Sequence, residues 1–365
     1  MLMQSRLHAT LLPDWRGRLA LVHVQKTGGT TLQVACHDAC LQSLNCTHDL
    51  RKSRAIRFID FTCGCGFIVG RAHWSPVELQ VAWAAAWPRL EHGPLHVLTL
   101  LREPVSRVVS EFDFLRTDEG RTAILQDQWD YTQPNGSLTP LGARLLDQKL
   151  GLAEFIELEP GTNPALNRQT RYIAGHVHKH WHGRGGCCLD IFAHSLAHWL
   201  GRHWGAANAP SRTDLAEATN REQRVLSALR QLAKNTSSSA AAAGARTPAG
   251  SFSLPPLTHA HLDAALSALR GMLLVGVLEK LDDVAELLQY QIGWDSGWTR
   301  RHNRKAQPHS PGKQEARRNA SLRARIRELN ALDERLYQEA AHMLSTRIAA
   351  VRATRRTQDP EQRTD

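Results

Sequence analysis

Lys26, Thr27, Gly28, Gly29, Thr30 and Thr31 stand together near the start of the chain. These residue types in this order suit an anion. The lysine brings a full positive charge, and the glycines let backbone N–H groups turn toward one point. Hydroxyls at the last two positions suit the start of a helix. A short apolar run at residues 19–24 precedes them, as a buried parallel strand would. The pattern is not that of a nucleoside triphosphatase, where the lysine follows the last glycine; no G-x-x-x-x-G-K-[ST] occurs anywhere in the chain.

A second group lies further on. Arg102 directly follows an apolar run at residues 95–101, and Pro104 both stops that strand and opens a helix over residues 105–116. Val105, Val108, Val109, Phe112 and Leu115 recur there at helical spacing. Arg102 at the strand's end and Ser110 two turns along the helix can approach one phosphate from two sides, and a guanidinium forks onto phosphate better than an ammonium does. A third residue is His73, between a β-prone stretch at residues 58–69 and a helix opened by Ser75 and Pro76 with Glu78 in its first turn. A histidine at such a mouth is placed to act as a general base.

Two of these groups carry a resemblance. Val24-Gln25-Lys26-Thr27-Gly28-Gly29-Thr30-Thr31 closely resembles the 5′-phosphosulfate loop of heparan sulfate 6-O-sulfotransferases. Residues 101–111 match the family's L-R-[DE]-P-V-S-R-x-x-S-E pattern at every specified position, and Asn167-Arg168-Gln169-Thr170-Arg171 resembles its N-R-Q-x-R segment. The resemblance implies an α/β fold of P-loop-like, three-layer form, a central parallel sheet flanked by helices. It implies a sulfotransferase using 3′-phosphoadenosine 5′-phosphosulfate as donor, with no metal. Lys26 and Thr27 to Thr31 would hold the donor's 5′ end, and Arg102 and Ser110 its 3′-phosphate. His73 corresponds best to the family's base histidine, though it lies nearer the tryptophan than the family's does. Asn167, Arg168 and Arg171 would bind the acceptor, since amide and guanidinium donors suit the hydroxyls and sulfates of a sugar chain. The acceptor implied is the 6-hydroxyl of a glucosamine in an anionic polysaccharide. The alternatives are a tyrosine-bearing peptide, because plant tyrosylprotein sulfotransferases share related motifs, and a non-catalytic protein that binds anionic glycans.

The rest of the chain must position these groups. The pattern predicts an extension at residues 1–18, one sulfotransferase-like domain at 19–350, and a frayed tail at 351–365. Residues 117–140 read as a polar loop and 145–158 as a helix. Residues 235–256 are rich in Ala, Ser, Gly and Pro, which predicts a disordered insertion within the domain. Residues 273–277 read as a strand, 279–290 as a helix, and 297–318 as a basic loop containing Arg300, Arg301, Arg304 and Lys305. Asn319 caps a long helix with one apolar stripe through Leu322, Ile326, Leu329, Leu332, Leu336 and Met343.

Composition narrows the class. The 365 residues are 42% hydrophobic and 22% charged with a net charge of +10, which suits an acidic partner. No basic helix with interleaved aromatics or other nucleic-acid motif is present, so the reading excludes nucleic acid. No apolar run is long enough for a membrane span, and residues 1–18 lack the apolar core of a signal peptide. Seven cysteines include Cys36 and Cys40 near His37 and His48, but no second C-x-x-C pair supports zinc. Disulfides fit that first group better in an oxidising compartment. Sequons at Asn45, Asn135, Asn235 and Asn319, with the resemblance, point to the Golgi lumen; the alternative is a protein soluble inside the cell. The His/Trp-rich stretch at residues 176–203 reads as an insertion of unassigned role.

Overall fold

The computed structural model describes residues 19–29, 32, 59–60, 67–69, 75–86, 95–125, 131–132, 137–147, 149–158, 161, 163–175, 220, 223–224, 227–228, 231–232, 257–292 and 310–358. Within them the chain is an α/β protein whose helices flank a mostly parallel sheet. The strands are β1 (Leu19–Val22), β2 (Ile59–Asp60), β3 (Phe67–Val69), β4 (His96–Leu101) and β5 (Leu274–Val277), in the spatial order β2-β3-β1-β4-β5. β3, β1, β4 and β5 run parallel, and β2 pairs antiparallel at the edge. In register, Val22 stands opposite Thr99, and Leu101 opposite Val277. A parallel sheet needs cover on its faces, which is why β1, β4 and β5 are short and nearly all apolar.

The helices are α1 (Pro76–Ala86), α2 (Pro104–Leu115), α3 (Asp118–Leu125), α4 (Pro140–Leu146), α5 (Leu152–Glu157), α6 (Arg168–Ile173), α7 (His259–Arg270), α8 (Leu281–Ile292), α9 (Pro311–Arg318), α10 (Ala320–Leu329) and α11 (Ala331–Gln358). Two apolar cores form. One packs the sheet, through Leu21, Leu98 and Val275, against α7, α8 and the Leu336, Ala340, Leu344 and Ile348 stripe of α11. The other gathers on the outer side of α2, where Val108, Phe112 and Leu115 meet Ile124, Leu145, Phe155 and Ile326. Burying each large side chain contributes about 1.5–3 kcal/mol. No helix among the described residues is long and apolar enough to cross a membrane.

Several predicted boundaries move. The single helix expected after Asn319 is two, because Asn330 ends α10: its backbone N–H and its side-chain amide both donate to the Ile326 carbonyl. The apolar stripe therefore serves both cores, Leu322 and Ile326 facing one and Leu336 the other. The predicted tail at 351–365 begins as helix, since α11 continues to Gln358 with Val351 buried. The polar stretch 117–140 contains α3, and the basic stretch 297–318 ends in α9. Helix 145–158 is replaced by α4 and α5, separated around Gly151. The extension at 1–18, the low-complexity segment 235–256, the His/Trp-rich stretch and all seven cysteines lie outside the described residues.

Candidate functional site

Strand order fixes where a cleft forms. From β1 the chain proceeds to β3 on one side of the sheet, whereas from β4 it proceeds to β5 on the other. The carboxyl ends of β1 and β4 thus flank the switch point, the usual ligand crevice of an open α/β sheet. Residues 25–29 leave β1 there, and Arg102 leaves β4.

The loop after β1 is built from unusual backbone. Lys26 is left-handed at φ 62, as is Gly28 at φ 86. A side-chain-bearing residue held in that region is strained, and such strain gathers at functional loops. Such alternating handedness is the kind of backbone from which anion nests are built. Thr27 is buried, and its hydroxyl donates to the Val24 carbonyl at 2.9 Å, bracing the loop from inside. A Cβ on Gly28 would stand 2.5 Å from Leu278, and one on Gly29 would stand 2.1 Å from the His23 ring, so both glycines permit close packing under the loop. The chain turns helical at once: the Leu32 N–H reaches the Gly28 carbonyl at 3.2 Å.

The Arg102 side chain meets the backbone of Lys26. Arg102 Nη1 donates to the Lys26 carbonyl at 3.2 Å, and Arg102 Nε is buried with no acceptor among the described residues. The Lys26 ammonium lies 4.2 Å from the centre of the Phe114 ring, a favourable cation–π contact. Phe114 is one helical turn beyond Ser110, so the lysine reaches the same flank of α2. Lys26 thus touches Arg102 through its carbonyl and α2 through Phe114, and Ser110, one turn before Phe114, is half-buried.

Both cations are perturbed by burial. Burial lowers the Lys26 pKa, and Glu111, Glu119 and Asp113 offset that only in part, with Arg102 adding to the depression. Arg102 is likewise lowered, by burial first. Both cations are partly stripped of water, a cost that an anionic ligand would relieve. His23 beneath the loop is pushed down to about 4 by burial, then by Lys26, and is neutral near pH 7.

Behind α2 lies a buried charged cluster. Glu111 accepts from Arg107 Nη1 at 2.6 Å, Arg168 Nη2 at 2.9 Å and the Tyr131 hydroxyl at 2.7 Å. Asp333 is 3.9 Å from Arg107 Nε, so two carboxylates balance two guanidiniums. Burial pushes the Glu111 carboxyl up, but Arg168 and Arg107 outweigh it and hold it below the usual carboxylate range.

Asn167 and Arg168 are committed to the protein. Asp333 accepts from the Gln169 and Thr170 N–H groups at 3.1 and 2.7 Å, capping α6. Asn167 Oδ1 in turn accepts from the Leu332 and Asp333 N–H groups at 3.0 and 3.1 Å, capping α11. The two helix starts cap each other. Arg168 is 1% and Arg171 5% exposed, and Arg171 lies near enough to His261 to add to the depression that burial imposes on that imidazole. Asn167 and Arg168 thus hydrogen-bond within the protein at positions for which the sequence suggested an acceptor surface. His73, Thr30, Thr31, Arg300, Arg301, Arg304 and Lys305 lie outside the described residues. Glu111, Gln169, Tyr172 and Asp333 are site-supporting residues that sequence reading missed; their burial pairs them across long stretches of chain that no local pattern reveals.

No protein-family model, curated protein or solved structure matches the chain.

Proposed function

We propose that the chain is a sulfotransferase of P-loop-like fold, which moves a sulfuryl group from 3′-phosphoadenosine 5′-phosphosulfate to a glycan hydroxyl. The observation that carries this reading is the contact between Arg102 and the Lys26 carbonyl at the β1/β4 crevice. Through it the two motifs that resemble the donor-binding elements of 6-O-sulfotransferases meet at one crevice. The buried Arg102 Nε, unpartnered among the described residues, and the desolvated Lys26 suit the donor's phosphates.

In this mechanism the acceptor oxygen forms a bond to sulfur while the bond from sulfur to the bridging 5′-phosphate oxygen breaks. The electron pair leaves onto that oxygen, giving adenosine 3′,5′-bisphosphate, and the acceptor's proton passes to His73. Lys26 leaves the Phe114 ring to neutralise the bridging oxygen as its charge grows. Residues 27–31 hold the 5′-phosphate, and Arg102 and Ser110 hold the 3′-phosphate. In-line positioning and cation placement supply most of the acceleration, as in phosphoryl transfer. The acceptor is an anionic polysaccharide, with the 6-hydroxyl of glucosamine as the target, and the setting is the Golgi lumen; both rest on the resemblance.

Incubation with donor labelled in its sulfate, offered desulfated heparan and tyrosine peptides in parallel, tests this. Label on the polysaccharide supports the proposal. Label on peptide alone refutes the glycan acceptor, and no label on either refutes the transfer.

A further inference from the structure

Both walls of the crevice are gripped by one turn of helix. Gln169 in α6 is fully buried, and its side-chain amide pairs with the peptide of Arg102 in both directions. The Arg102 N–H donates to Gln169 Oε1 at 2.8 Å, and Gln169 Nε2 donates to the Arg102 carbonyl at 2.9 Å. Three residues on, and so on the same face of α6, the Tyr172 hydroxyl accepts from Gln25 Nε2 at 2.5 Å. Gln25 is the residue before Lys26, and its side chain is also buried. The helix is itself pinned, because Asp333 caps the Gln169 and Thr170 N–H groups and Arg168 is held by Glu111. Gln169 thus fixes the β4 wall and Tyr172 the β1 wall, through a rigid element that belongs to neither.

We infer that Gln169 and Tyr172 are positioning residues that set the separation between the Lys26 loop and Arg102. They thereby make the cleft select a ligand with two phosphates on one ribose over a ligand with one. A single phosphate needs one wall only. A bisphosphate engages both, and its second contact is intramolecular only while the walls are correctly spaced. This inference rests on the reading of the cleft as a nucleotide 3′,5′-bisphosphate site.

Titration calorimetry with adenosine 3′,5′-bisphosphate and adenosine 5′-phosphate tests it in wild-type, Q169L and Y172F proteins, with melting temperatures recorded alongside. The quantity read is the ratio of the two Kd values. Wild-type protein should prefer the bisphosphate, and each variant should lower that preference by roughly tenfold, about what one net hydrogen bond contributes. General loosening of the fold would weaken both nucleotides alike and leave the ratio unchanged. Y172F removes one hydroxyl only and keeps the test open should Q169L fail to fold. A wild-type preference that survives intact in the folded variants overturns the positioning role while leaving the site in place. A wild-type protein that binds neither nucleotide overturns the site and the inference together.

Discussion

Replacing Glu111 by Gln removes one charge from a cluster whose members are all essentially inaccessible to water. Among the described residues, Asp333 would then be the carboxylate left beside Arg107, at 3.9 Å. Breaking a buried pair by removing one partner costs about 3–5 kcal/mol, a large share of a total stability of roughly 5–15 kcal/mol. The urea midpoint, followed by far-ultraviolet circular dichroism, should therefore fall by roughly 1 M. Y131F removes one donor to the same carboxylate and should cost less, about 1.5–3 kcal/mol. The pH dependence supplies a second reading. A carboxyl whose folded pKa is depressed adds stability above its unfolded pKa, near about 4.3, and loses that contribution as pH falls through the folded value. The gap between wild-type and E111Q should accordingly narrow below about pH 4. An E111Q midpoint indistinguishable from wild-type at pH 7 would refute the cluster as a structural keystone.

Two further predictions concern the loop. G29A drives a methyl into the His23 ring, 2.1 Å away, and should lower both the melting temperature and affinity for adenosine 3′,5′-bisphosphate; H23A in the same chain should restore part of each, and no rescue would contradict the packing. His23, neutral in the folded state with its pKa pushed down to about 4, contributes stability above its unfolded pKa that is lost as pH falls from about 6.5. The stability profile of H23Q should lack that segment, and an unchanged profile would count against a neutral imidazole there.

The catalytic-looking motifs were legible because they are local. An apolar run ending in Lys26-Thr-Gly-Gly and another ending in Arg102-Glu-Pro each name a strand, a loop and a helix start within about a dozen residues, and β1, β4 and α2 follow. Sequence patterning did not show that the two loops touch, since that depends on β1 and β4 being neighbours. The N-R-Q segment was harder. Asparagine and arginine suit a sugar ligand and a buried network equally well, and the Asp333 that decides between them is 163 residues from Thr170. α7 carries no signal beyond ordinary amphipathicity. The break at Asn330 was invisible to periodicity because one stripe runs through two helices that face different cores.

The most direct test of the cleft is turnover by the K26A protein with labelled donor, set beside its affinity for desulfated heparan. Lys26 as the group that neutralises the departing oxygen predicts turnover lower by about a hundredfold or more, with acceptor affinity unchanged. Equal loss of both, or undiminished turnover, would contradict that role.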